Sequence, residues 1–385
     1  VGGANTKELA DVAQPERIRR ALAELGPTFI KLGQMLSTRA DIVGIETARE
    51  LEKLQSKNPA DDPEWILDLV EKELGAPPSE LFAQFDETPM GSASIAQVHR
   101  AILHNGRKVV VKIQHQNIQD KIESDLSILL FLAELAEKNV KDFSLYQPRE
   151  TLIQFRKNIE RELDFNTELQ NLQHFQANFE SDPTVHIPQA YPELSARRVL
   201  TMEFINGINV QDVKLSQHQG IDRQLLAKRC VDIYINMIFR DRFYHADPHP
   251  GNLLILENDV VGFLDFGMVG YLDSVTRERF EGLIEGFVTK DLDLLTKSCL
   301  RLGQAPPDLD RDKLKVDVDL FINEHLSGPI KDFNIGKVLE QYTMIVRNHH
   351  IIQHTGIQSL IKVLIMLEGT GRHLNPSFNL SEALG

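Results

Sequence analysis

Cysteine is almost missing from this chain. Only Cys230 and Cys299 occur in 385 residues, far apart and in no metal-ligand spacing. That excludes a disulfide framework or a cysteine-rich metal centre. Two buried thiols in an intracellular, reducing compartment fit best. Long hydrophobic runs are missing too. The most apolar stretches, 128–136 and 360–367, fall well short of the ~20 residues of a membrane span, and the second contains Lys362. Both read as core helices. Positive charge is also short: 42 Lys and Arg against 56 Asp and Glu leave a net charge of −14. A nucleic-acid binder needs a basic face to neutralise phosphates, so none is expected as a partner. There is no internal repeat, no low-complexity tract and no signal-peptide pattern. Nor is there a GxxxxGK[ST] run, which removes the P-loop NTPases.

What is present is the composition of a folded protein, 42% hydrophobic and 25% charged. Residues 15–85 read as helical. Pro27 suits the first turn of one helix and Asp62-Pro63 starts another. At 94–101 and 108–113 the texture becomes β-branched, with Asn105-Gly106 between, predicting a hairpin whose two turn residues both take positive φ. Helical stretches follow at 117–138 and 148–178. A linking strand is expected at 198–204, ending at Asn206-Gly207. The rest is helical, interrupted by short strands at 253–256 and 260–264 and by a loop at Pro306-Pro307.

One constellation carries chemistry. Tyr244-His-Ala-Asp-Pro-His-Pro-Gly-Asn252 is followed by Val261-Gly-Phe-Leu-Asp265-Phe-Gly267. Phosphoryl transfer from ATP needs a base or positioner for the acceptor and oxygen ligands for Mg²⁺. Asp247 suits the first role, Asn252 and Asp265 the second. Each fragment alone is ordinary turn chemistry; both, in this order around a strand pair, are not. Upstream, Lys112 closes the run Val109-Val-Val-Lys112. A lone lysine there commonly snorkels to water, but upstream of the Asp247 loop it suits the ATP α/β-phosphates. Asp164 and Glu168 are four apart on a helix face, and Glu168 is the chosen partner of Lys112. Gly91-Ser92-Ala93-Ser94 lies on the hairpin's first strand, where small residues let backbone N–H groups approach phosphate. Leu25-Gly-Pro-Thr-Phe-Ile-Lys31-Leu-Gly-Gln34 by itself reads as a packed helix with an exposed lysine, Gly33 allowing close contact with a neighbour. His350 and His354 have i, i+4 spacing but no evident third ligand.

These signals in this order resemble the UbiB/ADCK family of atypical kinases. Lys31-Leu-Gly-Gln34 matches its KxGQ motif, Gly91-Ser-Ala-Ser94 its alanine-rich loop and Lys112 its VAVK-type lysine. Glu162-Leu-Asp164 matches the ExD motif, Glu168 the αC glutamate, and Asp265-Phe-Gly the metal motif. The match spans about residues 20–270. It implies an α+β, bilobed protein-kinase-like fold. Residues 1–85 would be a helical extension carrying KxGQ, 86–204 a small β-rich N-lobe with inserted helices, and 205–385 a mainly helical C-lobe. It implies ATP and Mg²⁺ as cofactors. Asp247, Lys112, Lys31 and Glu162 would be the catalytic set, with Lys31 engaged by Glu162. Gly91 to Ser94, Lys112, Glu168, Glu203 and Ile205 would contact nucleotide, and Asn252 and Asp265 the metal. The KxGQ helices would cover the place where a peptide enters a protein kinase. Family members support the metabolism of ubiquinone, plastoquinone and other isoprenoid lipids. Quinone-precursor lipids, quinone-biosynthesis proteins and peripheral membrane contact are therefore the expected partners.

Two departures stand out. Gly91 and Ser92 replace alanines of the family loop. No C-terminal membrane helix is visible, though some members carry one. The residues themselves argue against a protein substrate. Asp265-Phe-Gly runs directly into Met-Val-Gly-Tyr-Leu-Asp, no Ala-Pro-Glu follows, and Ala246 stands where kinases usually carry arginine. Two alternatives stay open. One is a small-molecule phosphotransferase of the aminoglycoside/choline kinase type, disfavoured by Lys31, Gln34, Glu162 and Asp164. The other is a protein in which nucleotide gates lipid or partner binding.

Overall fold

The computed structural model describes residues 13–54, 58–139, 147–212, 221–329 and 333–381. Residues 1–12 and 55–57 of the expected helical extension, 140–146 of the expected N-lobe, and 213–220, 330–332 and 382–385 of the expected C-lobe lie outside them. The chain divides into two compact units. The first is Val1–Gln170 with Gln189–Phe204; the second is Asn171–Pro188 with Ile205–Gly385.

The first unit opens with helices α1 (Gln14–Leu25), α2 (Pro27–Leu36), α3 (Ala40–Val43) and α4 (Ile45–Glu52). Gly26, at φ +104°, makes the turn between α1 and α2, and Pro27 starts α2. Ile30 of α2 packs with Leu51 and Leu54. A Cβ on Gly33 would sit 2.2 Å from Leu54 Cδ1, so Gly33 does provide close helix approach. Helix α5 (Pro63–Leu74) begins where the Asp62 side chain accepts from the Glu64 N–H and ends at left-handed Gly75. After α6 (Pro78–Leu81) come strands β1 (Gln84–Phe85), β2 (Gly91–Ser92), β3 (Ala96–Ile102) and β4 (Lys108–Gln114). They join β6 (Val199–Glu203) in an antiparallel sheet of order β1-β3-β4-β6, with β2 on β3. Strand alternation sends Val109, Val111 and Ile113 into the core against α5 and puts Lys112 on the other face.

Three expectations for this unit need correction. The β3–β4 connection is not a two-residue turn. Gly106 N–H donates to Leu103 O, Leu103 N–H to Arg107 O, and only Gly106 of the Asn-Gly pair has positive φ. This is a type I turn closed by a left-handed glycine, the next commonest hairpin. The small-residue motif is not on the first strand of that hairpin. Gly91 and Ser92 form β2, and Ser94-Ile95 turn into β3. The stretch 148–178 is two helices, α8 (Pro148–Glu162) and α9 (Phe165–Phe179), because Asp164 leaves the helix and accepts the Asn166 N–H. Asp164 and Glu168 therefore do not share a helix face. A fourth correction concerns α7 (Ile118–Asn139). Its core face is Ile118, Ile122, Leu126 and Ala133, whereas Ile128, Phe131, Leu132 and Leu135 are exposed. The run 128–136 is thus only partly core.

In the second unit, β5 (Val185–His186), β7 (Ile208–Asn209), β9 (Leu253–Ile255) and β10 (Val261–Phe263) form a sheet of order β5-β10-β9-β7. Strands β8 (Phe243–His245) and β11 (Val269–Tyr271) pair antiparallel. Helix α10 (Arg223–Ile235) continues into a π-helical turn, Asn236–Arg240, that delivers the chain to β8. Such turns recur beside functional sites. Helices α11 (Ser274–Thr289), α12 (Leu292–Arg301), α13 (Arg311–His325), α14 (Ile335–Asn348) and α15 (Thr355–Leu374) complete the unit. Asp273, Asp291, Asp310 and Asn334 cap the first four of these through their side chains. The expected all-helical tail also holds a small strand pair, β12 (Gly303–Gln304) with β13 (Ile352–Gln353). Leu360, Ile361, Val363, Leu364 and Leu367 are buried, as read from the sequence. Among the described residues no helix is long and apolar enough to cross a membrane.

Candidate active site

In the first unit, Lys112 Nζ donates to both carboxylate oxygens of Glu168, at 3.0 and 2.7 Å. Glu168 is 4% exposed, and the lysine that bonds it also lies over the Phe165 ring. Strand alternation delivers Lys112 and the first turn of α9 delivers Glu168. Lys31 on α2 donates to Glu162, the last residue of α8. With its side chain 15% exposed, Lys31 is half-buried, not the exposed lysine that the helix alone suggests. Gln34 donates to Leu54 O. Asp164 spends Oδ1 on the backbone and side chain of Asn166.

Gly91, Ser92 and Ala93 lie on or beside β2, Gly91 and Ala93 exposed, while Ser94 is buried. The Ala93 N–H is committed to Ala96 O. Glu203 ends β6, and its carboxylate accepts from the Gln189 N–H at 3.0 Å. Ile205, half-buried, begins the main segment of the second unit.

In the second unit, the loop after β8 is rigidly held. Asn252 Nδ2 donates to Asp247 Oδ2 at 2.8 Å. Asn209 donates to Gly251 O, and buried Thr370 to Pro248 O. Because the Asn252 amide nitrogen is spent on Asp247, its Oδ1 is the atom left for a cation. Asp265 is exposed, and its Oδ1 accepts the Gly267 N–H at 2.9 Å. These are hard oxygen donors of the kind Mg²⁺ takes. Among the described residues there is no group of three or more His, Cys, Asp or Glu side chains placed to hold a metal.

Sequence reasoning gave no role to two residues here. His245 is buried; its Nδ1 accepts the Asp247 N–H and its Nε2 donates to Asp265 O, tying the two acidic residues together through the backbone. Its place two residues before Asp247 was the available signal. Asn171 donates to Phe266 O at 2.9 Å, while Phe266 packs on Phe175 and His245. Nothing in the sequence marks Asn171. Within this unit Asn171 and Phe175 of α9 thus both hold Phe266. Burial, with the nearby Asp247 charge, pushes the Tyr234 hydroxyl well above its ordinary range and keeps it protonated. Burial likewise pushes Cys230 and Cys299 up to about 12, leaving inert thiols.

Strand β11 follows Asp265-Phe-Gly at once, and Ala246 N–H donates to Met268 O. Gly270 is required there. A Cβ would lie 2.1 Å from Tyr244 Cζ, and the Tyr244 ring is 1% exposed. Gly270→Ala is expected to cost about 2 kcal/mol or more by overpacking, read as a lowered urea midpoint. An unchanged midpoint would show that β11 shifts freely.

A family profile described as the ABC1 atypical kinase-like domain matches residues 53–299, and one described as the UbiB helical domain matches 318–379. A probable protein kinase UbiB from Marinobacter nauticus is 34% identical over 373 residues, 96% of this chain and 68% of the relative. Its namesake from Pseudomonas fluorescens is 34% identical over 374 residues, 96% of this chain and 70% of the relative. A Mycobacterium tuberculosis protein solved in complex with erythromycin superposes with a TM-score of 0.54 at 22% identity, over 88% of this chain and 93% of that one. That likeness concerns the fold alone; the kinase-like character of that fold comes from the family profile.

Proposed function

The chain belongs to the family of the ABC1 atypical kinase-like domain with its UbiB helical domain, and from that membership we propose that it binds ATP with Mg²⁺ and acts as an atypical kinase or ATPase in isoprenoid-quinone metabolism. The observation that carries the reading is Lys112 held by both oxygens of a nearly buried Glu168. A glutamate buried at that cost needs a purpose beyond packing. Fixing a lysine for α/β-phosphates is such a purpose. Asn252 Oδ1 and Asp265 would hold Mg²⁺, which takes its remaining ligands from phosphates and water and spreads charge off the transferring group. Asp247, fixed by Asn252, would orient or accept the proton of an acceptor hydroxyl or water. Lys31 held by Glu162 supports the reading that α2 occludes a peptide site. The direct passage from Asp265-Phe-Gly into β11 also supports a non-protein acceptor.

The test is ATP turnover with and without liposomes carrying quinone-precursor lipids. Stimulation by those lipids is expected. Turnover stimulated only by a soluble aminoglycoside or choline would favour the small-molecule phosphotransferase. Nucleotide binding without turnover would favour nucleotide-gated partner binding.

A further inference from the structure

His115, which directly follows β4, touches the small-residue loop twice. Its backbone N–H donates to Ile95 O at 2.9 Å. Its ring Nε2 lies 3.0 Å from Ala93 O and 3.3 Å from Ser92 Oγ, and its Nδ1 lies 2.6 Å from Asp61 Oδ2. The Ala93 carbonyl can only accept, so the ring meets it as a donor through Nε2–H, while Nδ1 faces Asp61. A third donor arrives from the same side of the sequence: Asn58 Nδ2 donates to Ser94 O at 3.0 Å. The carbonyls of Ala93, Ser94 and Ile95 are therefore all held by His115 and Asn58.

Asp61 is itself fixed. Burial pushes the His99 ring down and keeps it neutral, so its Nδ1–H donates to Asp86 O and its Nε2 accepts from the Gln97 amide. Gln97 Oε1 is then free to accept the Asp61 N–H, which it does at 2.8 Å. The path from β3 to Asp61 is thus determined by donor and acceptor type at each link, and Asp61 in turn meets the His115 ring.

The consequence lies in the peptide planes. In a trans peptide the C=O of one residue and the N–H of the next point in opposite directions. Holding the Ala93 and Ser94 carbonyls on the His115 and Asn58 side turns the N–H groups of Ser94 and Ile95 the other way. Successive N–H groups presented together make an anion cradle. Without the ring donor, the Ala93-Ser94 peptide can flip and present a carbonyl where an N–H stood.

We infer that His115, held by Asp61, is a positioning residue that sets the peptides after Ala93 so that their N–H groups meet nucleotide phosphate. This rests on the reading above that residues 91–94 serve ATP. The test compares Mg·ADP and adenosine, which lacks phosphate, by titration calorimetry and competition. His115→Phe keeps a ring and removes the Nε2 donor to Ala93 O together with the Nδ1 contact to Asp61. It is expected to weaken Mg·ADP about tenfold while adenosine affinity holds, with the ligand-free melting temperature lowered because Asp61 and Ala93 O each lose a partner. His115→Arg, which supplies N–H donors of its own, is expected to return Mg·ADP affinity to within about threefold of wild type. Should the Phe variant not fold, Asn58→Ala carries the same comparison, with a smaller loss confined to Mg·ADP. Equal losses for ADP and adenosine, or no loss for either, would overturn the role of His115. Failure of the wild type to bind Mg·ADP would instead overturn the ATP reading itself.

Discussion

Lys112→Met is expected to abolish nucleotide-dependent turnover and to cost about 3 kcal/mol of stability, because it removes the ammonium from a nearly buried carboxylate. Glu168 is 4% exposed and Lys112 half-buried, so water compensates little. The methionine fills the lysine's volume, which separates the charge effect from a cavity effect. Adding Glu168→Gln removes the stranded charge, so the double variant should recover most of the stability and none of the turnover. Urea denaturation of the two single variants and the double variant gives the coupling. A Lys112→Met protein as stable as wild type would mean that Glu168 is held by other groups and that the pair is not what orders the first turn of α9.

Asp265→Asn is expected to leave the ligand-free protein almost unchanged and to erase most of the stabilisation by Mg²⁺ with nucleotide. The first part follows from its exposure and from Oδ1, which an asparagine keeps for the Gly267 N–H. The second follows from charge: a neutral amide oxygen is a poor substitute for a carboxylate on Mg²⁺. At a hundredfold excess over the dissociation constant a bound ligand stabilises by about 2.7 kcal/mol, and that increment is what the variant should lose. A variant that keeps the full increment would remove Asp265 from the metal site.

Much of this site is legible in the sequence because its chemistry is local. Asp247, Asn252 and Asp265 occur in two short segments that are ordinary turn chemistry apart and point to phosphoryl transfer only together, and α9 places Glu168 one turn from its start. Lys112 is readable as one face of a β-branched strand. Long-range donors are not readable. His115 meets Ala93, and Asn58 meets Ser94, across folds of the chain that no periodicity records. The Asn105-Gly106 pair signals a hairpin but not which one, since a left-handed glycine serves both turn types. Asp164 reads as part of a helix face, yet aspartate competes for nearby backbone N–H groups, the property that breaks α8 from α9. In α7 an apolar run suggested burial. Apolar residues occupy more than one side of that helix, so neighbouring elements decide which are covered.

The most direct test of the central claim is the melting temperature of the wild-type chain with ADP, first in Mg²⁺ and then in EDTA. A rise of several degrees in Mg²⁺, largely lost in EDTA, is the predicted result. A melting temperature that ignores ADP in both conditions, at concentrations up to several millimolar, would contradict the assignment of Lys112, Asn252 and Asp265 to a nucleotide and its metal.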